Sequence, residues 1–427
     1  MKSIVSPVSA NERADVLDIL RGFALLGILL ANSAVFSQYI MQDPKVTATW
    51  PTAAADKILG WFHFAMVDGK FYSLFSLLFG IGFSIIFLKN KNRGTNGLRL
   101  FYRRLLILAL FGLIHTFLIW DGDILFFYAV FGLLLPLFRN VADKTLLIIA
   151  GSLLLSPLLI DFLKVITHGR WDVSKPFLNA ALARDQFVGI TEENARQWLL
   201  VHKSYSKVLD WNSSGIWWGW FFRMESNRPV KVLAMFLIGL YVGRNHIYNQ
   251  LEQYKPLIKK MRNWGLGIGL PAGLLHAWFQ FDDQRLPAWG GLLDTTFYAL
   301  NVTPLAIGYA ATLALWYVNA KFLPLLKPLR YVGRMALTNY IMQSVISMII
   351  YYGIGFGLGK NAGPTFYIPV ALMIFLFQVL YSKLWFRFFN YGPLEWIWRM
   401  LTYGKFLSLK KNSREIHRRK ISAEIVQ

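Results

Sequence analysis

Apolar residues along this chain gather into repeated runs of about 16 to 25 residues, the length at which a helix crosses the hydrocarbon core of a bilayer. Windows of about 19 residues predict ten helices, over 17–38, 70–88, 103–120, 123–138, 145–163, 229–245, 264–281, 294–318, 335–358 and 366–387. The fold class expected is all-α, a polytopic membrane helix bundle. The first run, Leu17 to Phe36, has one mark of a secretory signal, the small-x-small triplet Ala31-Asn32-Ser33 near its end. Asp15 and Asp18 lie where a signal carries positive charge, however, and Arg21 interrupts its apolar centre, so it reads as the first span.

The helices divide the chain into an N-terminal membrane bundle at 1–163, an external cap or loop at 164–228, a C-terminal bundle at 229–388 and a tail at 389–427. Within the cap, Glu192 to Leu209 reads as one amphipathic helix. The aromatic stretch Trp217, Trp218, Trp220, Phe221 and Phe222 reads either as the start of the sixth span or as a separate interfacial segment. After the last span, Leu394, Ile397, Trp398 and Leu401 share one helical side, which predicts an interfacial helix with a local Glu395–Arg399 pair. Lys410, Lys411, Arg414, Arg418, Arg419 and Lys420 follow and favour anionic lipid at the inner leaflet. No internal repeat is visible.

Composition agrees with a membrane protein: 55% of the 427 residues are hydrophobic and 16% are charged, against roughly 25% charged in soluble domains. With no cysteine, disulfide scaffolds, Cys-ligated metal centres and thiol nucleophiles are excluded. A net charge of +22 would point to nucleic acid in a soluble chain. The predicted spans change that reading. With the N-terminus in the cytosol, inner segments hold 29 basic and 7 acidic residues, and outer segments hold 15 of each. The excess is a positive-inside topology signal, so both termini are expected in the cytosol and no nucleic-acid partner is expected.

Polar residues inside predicted spans are the candidates for chemistry, because a charge at the bilayer centre costs roughly 3 kcal/mol or more. Asp18, Arg21, Gly22, Leu25, Leu29 and Asn32 form one stripe of the first helix, either an ion pair that fixes its orientation or part of a site. His115 precedes the turn Trp120-Asp121-Gly122-Asp123. Asp121 or Asp123 would orient His115 as a general base; the turn could instead bind a cation, or cap the fourth helix. Arg334 and Thr338 are spaced i and i+4, as are Asn339 and Gln343, a spacing that serves helix packing or, in a cavity, substrate. His63 near Asp68 and Lys70 is a secondary candidate. Gly80 and Gly82 read as a helix-packing face, and no metal site is expected.

The segments Leu17-Asp18-Ile19-Leu20-Arg21-Gly22, Phe75-Ser76-Leu77-Leu78-Phe79-Gly80, His115 with Trp120 to Leu125, Gly333 to Tyr340 and Gly392-Pro393-Leu394-Glu395-Trp396 resemble the DUF418 (YeiB-like) family of bacterial inner-membrane proteins. These motifs run from residue 17 to 396, nearly the whole chain. The first-helix pattern is also similar to that of the membrane enzymes that acetylate heparan glucosamine, grouped with acyltransferase-3 proteins in a wider transmembrane acyltransferase superfamily. In those enzymes the working histidine lies in an extramembrane stretch before a later span, which His63 resembles more closely, whereas His115 belongs to the DUF418 motif.

The resemblance implies an acyltransferase in the bacterial plasma membrane that takes an acyl group from a cytosolic thioester such as acetyl-CoA. The acceptor would be a small molecule or glycan at the outer face. Asp18, Arg21, Asn32, Arg334, Asn339 and Gln343 are then the candidates for binding, and His115, Asp121 and Asp123 for catalysis. The alternative is a transporter whose route the same residues line. A homo-oligomer is compatible with either.

Overall fold

In the computed structural model, which describes residues 14–92, 97–279 and 286–411, the apolar runs fold as helices, and no β-strand forms among the described residues. The first half of the chain forms α1 (Asp15–Phe36), α2 (Pro44–Thr47), α3 (Ala53–Met66), α4 (Lys70–Asn92), α5 (Gly97–Ile114), α6 (Leu125–Gly132) and α7 (Asp143–Ile166). The middle of the chain forms α8 (Lys175–Val188), α9 (Glu192–Ala195), α10 (Trp198–Val201) and α11 (Tyr205–Glu225). The second half forms α12 (Arg228–Arg244), α13 (Lys255–Phe279), α14 (Trp289–Val318), α15 (Leu323–Arg334), α16 (Ala336–Tyr351), α17 (Pro364–Phe388) and α18 (Pro393–Tyr403). The basic run from Arg414 to Lys420 lies outside the described residues.

Each predicted window overlaps a helix, and six helical segments of the described residues are long and apolar enough to cross a membrane. The windows on α6, α12, α13 and α16 fall short in length or apolarity. Pro136 stands in the 3-10 turn that follows α6, and α16 stops at Tyr351 ahead of Gly353, Gly355 and Gly357. Helices α3 and α15 were not among the windows. Asp56, Lys57 and His63 dilute the hydropathy of α3, and Lys327, Pro328 and Arg330 that of α15.

Two local expectations are corrected, and one that was left open is decided. The single helix expected over Glu192–Leu209 is broken into α9, α10 and the start of α11. A Thr191/Asn194 capping box opens α9, and His202 leaves α10 in an extended conformation with its ring on the Trp198 carbonyl at 2.8 Å. The aromatic stretch Trp217–Phe222 belongs to α11, separate from α12. Arg334 and Thr338 do not share a helix, because the chain breaks at Met335 (φ −114°, ψ 38°) between α15 and α16.

Helix α1 is the central post, with Leu25 and Leu29 fully buried. It crosses α15 with backbones in direct contact. A Cβ on Gly22 would lie 2.0 Å from the Leu329 carbonyl oxygen, and one on Gly333 would lie 1.8 Å from that of Asp18. Small residues permit such approaches between apolar helices, where packing rather than water drives association. Gly80 plays the same part between α4 and α12, 2.0 Å from the Phe236 carbonyl, but Gly82 has no atom within 4 Å of its Cβ position. Of the pair read as a packing face, only Gly80 is one.

Candidate functional site

Near the far end of α5 the helix widens into a π-helical turn, His115–Ile119, before the chain reverses at Trp120–Asp123. Such turns are rare and concentrate at functional positions. His115 is fully buried. Its Nδ1 lies 2.9 Å from Asp123 Oδ1, and its Nε2 lies 2.9 Å from the hydroxyl of Ser344 on α16. Asp123 and Ser344 are buried as well. The second oxygen of Asp123 accepts the Phe126 N–H at 2.7 Å in the first turn of α6. Asp123 therefore caps a helix and holds the imidazole at once. With an acceptor-only carboxylate at Nδ1, that nitrogen carries the proton and Nε2 is left to accept from Ser344.

Helix α11 closes over this turn. Arg223 on α11 donates to the Asp123 carbonyl, Asn212 donates to the Phe117 carbonyl at 3.4 Å, and the Tyr205 hydroxyl donates to the Leu118 carbonyl. Asp121 faces α11, its carboxylate oxygen 2.0 Å from where a Cβ on Gly215 would stand. Burial pushes its carboxyl up to about 6, with Arg223 and His115 opposing the shift. Of the two carboxylates that could orient His115, Asp123 does so in this structure.

A cavity of about 300 Å³ lies beside this cluster, with Tyr340 between them. Arg21, Arg104, Arg334 and Arg399 stand at one end of it, together with Glu395, Trp398 and Tyr403. Phe75, Phe79, Phe83, Leu105 and Leu108 form an apolar wall, and Ile28, Ile124, Tyr128 and Tyr340 lie among the lining residues deeper in the bundle. Ile28 is seven residues along α1 from Arg21, about 10 Å at the helical rise. Tyr340 borders both compartments: it lines the cavity, its ring centroid is 5.1 Å from that of His115, and its oxygen accepts the Ile124 N–H at 3.3 Å. A larger surface depression of about 600 Å³, lined by Asp15, Tyr248, Glu252 and Tyr317 among others, has no buried polar side chain.

The candidates expected from sequence are thus distributed unevenly. Arg21, bonded to the buried Asp18 at 2.8 Å, and Arg334, over the Phe386 ring at 3.9 Å, line the arginine end of the cavity. Asn32 is half-buried and does not line it. The Asn339 amide donates to Ser382 on α17, and the Gln343 amide to Gln378 on α17, each within 3.1 Å. Both serve the α16/α17 contact. His63 is bonded through Nδ1 to Tyr367 at 2.8 Å and takes no part in the His115 cluster. Glu395 bonds the start of α16, to the Leu337 N–H at 2.7 Å and the Thr338 hydroxyl at 2.6 Å.

Sequence reasoning missed Ser344, Tyr340, Arg104 and Arg399 as site residues. Serines in membrane helices ordinarily bond the carbonyl four residues back, as Ser33 does with Leu29 and Ser76 with Tyr72, so Ser344 carried no local signal. The available signal was the polar face of α16 continuing past Gln343 to Ser347 and Tyr351.

Over residues 242–405 the chain matches the family described as protein of unknown function (DUF418). It is 33% identical to the uncharacterized protein YxaH of Bacillus subtilis, over 96% of this chain and all of that one. It is 30% identical to the uncharacterized protein YeiB of Escherichia coli, over 92% of this chain and 96% of that one. An uncharacterized 39.9 kDa protein from the amylase 3' region of Bacillus acidopullulyticus is 29% identical, over 94% of this chain and 97% of its own length.

Proposed function

The chain belongs to the DUF418 family, and from that premise we propose that it is a membrane-bound acyltransferase. It takes an acyl group from a cytosolic thioester such as acetyl-CoA and passes it to a small-molecule or glycan acceptor at the outer face. In this reading the bundle has about ten spans in the bacterial plasma membrane, with both termini and the arginine end of the cavity on the cytosolic side. The positive-inside distribution of charge supports that orientation.

One observation carries the proposal: a cavity with four arginines at one end has, among its lining residues, the tyrosine whose tilted ring packs against a buried histidine that a carboxylate orients. Arginine suits the phosphates of a CoA-type donor because its planar fork pairs two oxygens at once. The apolar wall beyond suits the pantetheine arm and acyl chain. His115, with Asp123 fixing its tautomer, is the base. Tyr340 accepts from Ile124 and so keeps its own O–H to donate to the oxyanion that develops on the thioester carbonyl.

The test uses the purified full-length protein in lipid nanodiscs with acetyl-CoA. Calorimetry reads donor binding, and a thiol reagent reads release of the CoA thiol without background from the protein, which has no cysteine. The wild type is expected to bind and cleave the thioester, and His115→Gln to bind with little change but not cleave. Absence of donor binding in the wild type would remove the acyltransferase reading. Solute flux through liposomes without thiol release would replace it with a transporter lined by the same residues.

A further inference from the structure

Both nitrogens of His115 are engaged, Nδ1 by Asp123 and Nε2 by Ser344, each at 2.9 Å. An acceptor molecule therefore has no lone pair of His115 to approach while Ser344 is in place. The proton that His115 can take in this arrangement is that of the Ser344 hydroxyl. Ser344 is itself buried, sits one turn beyond Tyr340 on α16, and directs its hydroxyl at the imidazole instead of at its own helix. A serine hydroxyl on an imidazole that is oriented by a carboxylate is the arrangement that turns a weak nucleophile into an effective one.

Resting on the acyltransferase reading, we propose that Ser344 is the nucleophile and carries the acyl group as an ester halfway across the protein. In the first half-reaction the Ser344 oxygen bonds to the thioester carbonyl carbon as its proton passes to His115 Nε2. The carbon–sulfur bond then breaks, and the CoA sulfur leaves with that proton. In the second, an acceptor hydroxyl or amine gives its proton to His115 and bonds to the ester carbonyl carbon. The Ser344 oxygen leaves and recovers the proton. Tyr340 borders both the cavity and His115, so its hydroxyl is placed to donate to the oxyanion of that first step. Further along α16 the hydroxyls of Ser347 and Tyr351 are buried without a partner among the described residues, which provides polar groups for the acceptor. The acyl group thus crosses the membrane barrier while the charged donor stays on its own side.

The experiment incubates full-length protein with radiolabelled acetyl-CoA and no acceptor, then reads thiol release and maps the label by peptide mass spectrometry. The wild type is expected to release a burst of at most one equivalent of thiol and to carry one acetyl group on Ser344. Ser344→Ala is expected to bind acetyl-CoA as the wild type does, to stay unlabelled, and to lose turnover by at least about 100-fold. Ser344→Cys is expected to be labelled as a thioester that neutral hydroxylamine removes, which keeps the test decisive if the alanine variant folds poorly. Thiol release by Ser344→Ala at the wild-type rate, label on His115, or wild-type cleavage that requires an acceptor and leaves no label would overturn the serine. Those outcomes leave an acyltransferase that transfers directly. Failure of the wild type to bind or cleave acetyl-CoA overturns the acyltransferase reading and the serine with it.

Discussion

Glu395 on α18 and Thr338 on α16, 57 residues apart, are joined twice: the carboxylate accepts the Thr338 hydroxyl at 2.6 Å and its backbone N–H at 3.1 Å. The same carboxylate takes the Leu337 N–H at 2.7 Å. A negative group at a helix N-terminus satisfies orphan donors and the helix dipole together. The short helix after the last span thereby anchors the helix that carries Tyr340 and Ser344. Glu395→Gln keeps the shape but loses the charge and one acceptor oxygen, and is expected to destabilise the protein by about 1–3 kcal/mol. Melting in a fixed detergent checks this; an unchanged transition would show that α18 merely lies against the bundle.

Gly333→Ala forces a methyl into the Asp18 carbonyl, where backbone rather than a flexible side chain must yield. The expected cost is about 1–3 kcal/mol or more. Gly151→Ala, whose Cβ meets nothing within 4 Å, is the control and is expected to stabilise slightly through helix propensity. Equal melting temperatures for the two variants would contradict the close crossing of α1 and α15.

The carboxylates of the Trp120–Asp123 turn are expected to separate by function. Asp123→Asn leaves His115 with the wrong tautomer and should lower thioester cleavage about 100-fold to 10,000-fold, whereas Asp121→Asn should change it less than about tenfold. Initial rates of thiol release decide between them, and a larger loss at Asp121 would reassign the orienting carboxylate.

Asp121 also predicts a pH dependence of stability. Burial raises its folded-state value from 3.8 to about 6, so between those values the folded chain keeps a proton that the unfolded chain has lost. Stability from this group therefore falls as pH rises through that window and is level above it. The loss is on the order of 1–3 kcal/mol. Melting curves between about pH 4 and about pH 7 should show that slope in the wild type and a flatter one in Asp121→Asn.

At the arginine end of the cavity, Arg399→Gln and Arg21→Gln should each weaken acetyl-CoA binding about 5-fold to 10-fold, more at low than at high salt. Calorimetry at two ionic strengths checks both the size and the sign of the salt effect.

What the sequence determined by itself was local and periodic. Runs of apolar residues marked the helical class and the main spans, and the i and i+3 spacing of Asp18 and Arg21 foretold their bond, because neighbours on one helix face meet wherever the helix packs. The same logic placed His115 beside an Asp-Gly-Asp turn. It left open which carboxylate would face the ring, since two side chains two residues apart on a turn point different ways. Tertiary structure decided that α11 covers Asp121 while Asp123 reaches His115, that Ser344 arrives from 229 residues away, and that Glu395 serves α16 across the gap between helices. It also gathered Arg21, Arg104, Arg334 and Arg399, which stand on four different helices, at one end of a single cavity. Pairings of this kind depend on how whole helices cross, and helix crossings are set by packing surfaces contributed from distant parts of the chain, which no local spacing records.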